Sequence, residues 1–122
     1  MILISKDSEA IDVVKDQPGS PTYARYLESS IMQIITTDKF IPGIYHYTNE
    51  GVTTWCGFAK EIAGLIHTNC IVNPISTAQF PTPAARPAYS VLDTEKLSSV
   101  YGLAIPAWQH SLKKCIALLQ NQ

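Results

Sequence analysis

An arginine held between prolines is the residue in this chain best suited to grip an anion. Arg86 lies in the run Phe80-Pro81-Thr82-Pro83-Ala84-Ala85-Arg86-Pro87. A planar guanidinium can take two phosphate oxygens at once. Three prolines in those eight residues forbid a regular helix or a central strand, so the loop is stiff. The competing reading is a solvated or locally paired arginine. Gln17, Ser20 and Thr22 form a second group. They bring an amide and two hydroxyls beside an expected helix start, where free backbone N–H groups favour anions. Turn formation and plain helix capping would use the same residues.

Other reactive side chains point to structure. His46, His67 and His110 share no ligand spacing. Cys56, Cys70 and Cys115 are odd in number and far apart, which argues against a disulfide framework and a zinc site. Cys56 and Cys115 read as small packing residues on helix faces. Free thiols fit a reducing compartment, so a cytoplasmic location is expected. No catalytic, cofactor-binding or metal-ligating residue is assigned.

Several elements must position Arg86 and the 17–22 loop. Residues 11–14 read as a strand, and the Pro- and Gly-rich residues 16–21 as a loop. Thr22 is the expected N-cap of a helix to about Thr36, with Ala24, Leu27, Ile31, Ile34 and Ile35 on one face. Residues 44–47, Ile-Tyr-His-Tyr, read as a strand. After the Asn49-Glu50-Gly51 loop, Thr53 or Thr54 caps a helix to His67, with Trp55, Phe58, Ala59, Ile62, Leu65 and Ile66 as its buried stripe. Residues 70–72 could form a strand before Pro74. Asp93 should cap a short helix that stops at Gly102. Pro106 suits the first turn of a last helix, whose buried stripe is Trp108, Leu112, Cys115, Ile116 and Leu119. The pattern is an α/β lobe of helices and a few short strands, without one long sheet.

The 122 residues fit one domain, 1–122, with 46% hydrophobic and 16% charged residues. A formal net charge of -1 with scattered Lys and Arg gives no case for nucleic acid. The apolar stretches are too short for a membrane span, and Met1-Ile2-Leu3-Ile4 is too short for a signal-peptide core.

Several runs, in order, resemble the dTDP-4-dehydrorhamnose reductase family. They are Asp16-Gln17-Pro18-Gly19-Ser20-Pro21-Thr22-Tyr23-Ala24, Gly43-Ile44-Tyr45-His46-Tyr47 with Glu50-Gly51-Val52, and Phe58-Ala59-Lys60-Glu61-Ile62. The strongest is Pro81-Thr82-Pro83-Ala84 with Arg86-Pro87 and Ser90-Val91-Leu92-Asp93-Thr94. Pro106, Trp108, Ser111, Leu112 and Lys113 complete the pattern. The resemblance implies the C-terminal, substrate-binding lobe of an extended short-chain dehydrogenase. In such an enzyme a Rossmann part holds NADPH and a Tyr-x-x-x-Lys pair, and the 4-keto group of dTDP-4-dehydro-L-rhamnose is reduced. It further implies that Arg86 meets the nucleotide-sugar diphosphate and that Gln17, Ser20 and Thr22 face the substrate cleft. Arg25 stands where some relatives place an acidic residue associated with metal-assisted dimer contacts, so no such metal site is expected.

The cofactor motifs of that family are not in these residues. Gly19, Gly43, Gly51, Gly57, Gly64 and Gly102 include no two that are two residues apart, as a G-x-G-x-x-G cradle requires. No lysine stands four residues after a tyrosine. The expectation is a truncated or split reductase, inactive alone, that binds dTDP-sugar. The alternative is a non-catalytic regulatory or interaction module on the same lobe. A homo-oligomer, or association with a Rossmann half, is expected from an uncovered apolar face and from Ile2, Leu3 and Ile4.

Overall fold

The computed structural model describes residues 9–121; the expectation placed on Ile2, Leu3 and Ile4 lies outside them. Strand β1, Ala10–Val14, pairs in parallel with β4, Ile71–Ile75, in the register Ala10↔Ile71 to Val14↔Ile75. A second small ladder joins β2, Pro18–Gly19, to β3, Thr53–Thr54, antiparallel. The helices are α1, Ala24–Thr36; α2, Trp55–Leu65; α3, Glu95–Tyr101; and α4, Trp108–Gln120. The result is the expected mixed lobe of helices and short strands.

Helix α2 is the centre of packing. Its Ile62 joins Trp108, Leu112 and Ile116 of α4 in the core, with Phe58, Leu65 and Ile66 against them. Cys56 and Ala59 are buried on the same helix. The Thr54 hydroxyl accepts the Gly57 N–H at 3.1 Å, which fixes where α2 begins. Gly102, at φ 66°, ends α3 in the left-handed conformation that glycine adopts without a Cβ penalty.

Several sequence expectations need correction. Residues 44–47 join no ladder among the described residues. The Ile44 carbonyl instead accepts from Lys96 Nζ at 3.0 Å, and the Tyr45 hydroxyl donates to the Ile41 carbonyl at 2.9 Å. β-rich composition does not make a strand without a neighbour to pair with. Strand β4 runs through Pro74 where an earlier end was expected; a two-stranded ladder leaves one side of β4 free of partners, so a missing N–H is tolerated there. Tyr23, not Thr22, is the N-cap of α1. Pro106 precedes the Ala107 N-cap of α4 and lies outside its first turn. Asp93 does satisfy the start of α3, accepting the Glu95 N–H at 2.8 Å, although Thr94 is the cap position. The expected stripes are partly open: Ile31, Ile35, Trp55 and Leu119 are all exposed.

Candidate functional site

Three contacts bring the distant loops together. The end of β1 leads into Asp16, whose carboxylate accepts from the Thr77 N–H at 2.9 and 3.0 Å and from its hydroxyl at 2.7 Å. These bonds, the hydroxyl first, hold the Asp16 carboxyl below its ordinary pKa. Gln17 Nε2 donates to the same Thr77 oxygen at 3.1 Å. Further on, Ser90 donates its N–H at 3.0 Å and its hydroxyl at 3.2 Å to the Pro18 carbonyl, tying the proline-rich loop to β2. Gly19 permits this approach, since a Cβ there would sit 2.9 Å from Ser90 Oγ. Ser20 donates to the Gly51 carbonyl at 2.8 Å and closes the third side.

Between these ties lie two adjoining hollows that share Gln17, Trp55 and Ser90. The larger, of about 500 Å³, is lined by Asp12, Gln17, Trp55, Phe80, Thr82 and Arg86 among others. The smaller, of about 440 Å³, adds Ser20, Thr22, Thr53, Thr54 and Phe58. Arg86 and Gln17 thus line the larger hollow, and Gln17, Ser20 and Thr22 the smaller one beside it. Their availability differs. Arg86 is exposed and has no hydrogen bond or ion pair among the described residues. Gln17 and Ser20 already spend donors on holding the loops. Thr22 makes one long contact, 3.4 Å, to the Ser20 carbonyl. Among the described residues, the two hollows offer the Arg86 guanidinium, the Asp12 carboxylate, several hydroxyls and two exposed aromatic faces. That suits an anionic ligand carrying a ring and sugar hydroxyls.

Two cleft residues escaped the sequence reading. Trp55 was expected in the core, as Trp108 is, but it is 55% exposed. It is the first residue of α2, so no preceding turn of helix covers it; only that position could have signalled it. Phe80, 54% exposed, follows the short 3₁₀ turn Thr77–Gln79. Asn49 was also missed. It is 1% exposed, and its Oδ1 accepts the Tyr23 N–H at 2.7 Å, capping α1 from another loop. Its Nδ2 donates to the Pro106 carbonyl at 2.9 Å and to Ser111 Oγ at 2.8 Å. Among the described residues no cluster of His, Cys, Asp and Glu could hold a metal.

Comparison with known proteins gives a consistent outcome. Residues 1–121 match the RmlD substrate binding domain. A dTDP-4-dehydrorhamnose reductase of Burkholderia thailandensis is 34% identical over 100% of this chain and 46% of that protein. One from Aggregatibacter actinomycetemcomitans is 37% identical over 93% of this chain and 42% of its own length. The crystal structure of such a reductase from Clostridium acetobutylicum superposes with a TM-score of 0.91 at 37% identity, covering 98% of this chain and 42% of that one. A Bacillus anthracis reductase solved in complex with NADP gives 0.82 at 38% identity, over 93% of this chain and 39% of that one. The chain spans a little under half the length of these relatives.

Proposed function

The chain belongs to the RmlD substrate binding domain family, and we propose that it is the nucleotide-sugar-binding lobe of a dTDP-4-dehydrorhamnose reductase. The observation that carries this reading is Arg86, unpaired among the described residues, in a hollow with Gln17 that adjoins the one lined by Ser20 and Thr22. In it, Arg86 takes the diphosphate of dTDP-4-dehydro-L-rhamnose, and the Ser20 and Thr22 oxygens meet sugar or ribose hydroxyls. Charge-assisted bonds to a preorganised cation fix the sugar for reaction.

NADPH supplies the hydride in such a reaction. These residues do not fit that cofactor, because none of the glycines forms the spacing that lets a backbone approach a pyrophosphate. No step of reduction is therefore assigned to them. Their part is to bind and orient. No helix among the described residues is long and apolar enough to cross a membrane, and three free thiols fit the reducing cytoplasm.

Calorimetry with dTDP on the 122-residue chain tests this. Arg86→Ala should weaken binding by about 1.5–3 kcal/mol, the worth of a hydrogen bond to a charged group. Equal affinity in both proteins, or no binding by the unmutated chain, rejects it.

A further inference from the structure

The groups around Thr77 leave only one way for the Gln17 amide to lie. Asp16 accepts the Thr77 N–H and, at 2.7 Å, its hydroxyl hydrogen. An ionised carboxylate only accepts, and these bonds favour that form by lowering the Asp16 pKa. The Thr77 hydroxyl has a single hydrogen, already given to Asp16, so toward any other neighbour its oxygen can only accept. Gln17 approaches that oxygen at 3.1 Å and must present Nε2 to it. Turned over, the amide would set Oε1 against the Thr77 oxygen with no hydrogen between them. Gln17 Oε1 accepts from no group among the described residues, and Gln17 lines both hollows. Its neighbours in the smaller hollow are of the same kind. Ser20 and Thr22 give their hydroxyl hydrogens to the Gly51 and Ser20 carbonyls, at 2.8 and 3.4 Å, and so offer a ligand lone pairs. Three acceptors repel a phosphate and suit donors such as the hydroxyls of a sugar.

We propose that Asp16 and Thr77 are positioning residues, which act through Gln17 by holding its amide with the carbonyl oxygen ready to accept a hydroxyl of the ligand's sugar. This rests on the nucleotide-sugar reading above. A side-chain amide has nearly the same shape either way round. The chain from carboxylate to hydroxyl to amide selects one of the two before the ligand arrives, and a group already fixed loses little freedom on binding.

Calorimetry on the 122-residue chain with dTDP-glucose and with dTDP tests it. Gln17→Ala and Thr77→Val should each weaken dTDP-glucose binding about three- to tenfold, the effect of one neutral hydrogen bond, and leave dTDP unchanged. Thr77→Ser, which keeps the hydroxyl, should bind dTDP-glucose as the parent does. Because Thr77 acts through Gln17, the double variant should bind no more weakly than Gln17→Ala alone. Nitrogen relaxation needs no variant: the Gln17 side-chain amide should be as ordered as the backbone in the free chain. A mobile amide there overturns the proposal. So do additive losses in the double variant, or a Thr77→Val loss as large for dTDP as for dTDP-glucose, since Thr77 then only supports the loops. If Thr77→Val and Gln17→Ala bind dTDP-glucose as the parent does while Arg86→Ala binds both probes weakly, the positioning is wrong and the nucleotide-sugar reading stands. If the unmutated chain binds neither probe, both readings fall.

Discussion

Asn49 does with one side chain what several local caps would otherwise do. Its oxygen and both amide hydrogens are used, and the three partners are Tyr23, Pro106 and Ser111. Pro106 also accepts the Glu50 N–H and Ser111 also donates to Ala107, so these two keep a partner if Asn49 is lost. The Tyr23 N–H has no second acceptor of that kind among the described residues. Asn49→Ala should therefore destabilise the chain by about 1–3 kcal/mol, from a part-buried donor left unmet and a gap in the packing. Chemical denaturation would measure it; a change below about 0.5 kcal/mol, typical of surface substitutions, would show that α1 is held some other way. Sequence reasoning could not find this residue, because its partners lie 26, 57 and 62 positions away. Arg86 was singled out in sequence for the opposite reason. The prolines that stiffen its loop are its own neighbours.

At the scale of elements, the Asp16–Thr77 clasp positions Phe80 relative to β1. The carboxyl is held below its ordinary pKa by the Thr77 hydroxyl and then the Thr77 N–H, so the folded value lies below the unfolded one. The sign follows. The clasp contributes fully above the ordinary aspartate pKa of about 3.9, and its contribution is lost as pH falls through the depressed folded value. The Thr77 amide resonance should then titrate with a midpoint below that of a free aspartate, and Asp16→Asn should abolish the titration. A midpoint at or above the ordinary value would mean that the clasp does not hold in solution. Elements with local signals were legible. The Thr54 cap and the Gly102 stop stand where sequence places them. Residues 44–47 did not follow their β-rich composition, because a strand is decided by its partner as much as by its own residues. Trp55 failed as a core residue because helical periodicity assumes a turn on either side, and a first residue has one on only one.

For the whole molecule, the apolar surface is uneven. Helix α1 buries only Ser30, while Ile31, Met32 and Ile35 are 46, 54 and 68% exposed. Phe40 and Ile44 follow at 78 and 80%. With Ile41 at 41%, six large exposed apolar side chains fall within fourteen residues, more than the scattered singles a monomer tolerates. The helical period was legible in sequence, but the period names the face and not what covers it. Covering four such side chains would gain about 6–12 kcal/mol. Association loses about 4–15 kcal/mol of translational and rotational freedom. The two are close, so the 122-residue chain should self-associate weakly, with a dissociation constant in roughly the micromolar to millimolar range. Light scattering should show the mean mass rising with concentration across that range, and the paired substitution Ile35→Lys with Ile44→Lys should hold it at one chain. Ile44 and Ile35 lie outside the α2–α4 core, so the substituted protein should melt as the parent does when both are dilute. A parent that stays monomeric throughout, with a melt independent of concentration, would show that this face is stable in water.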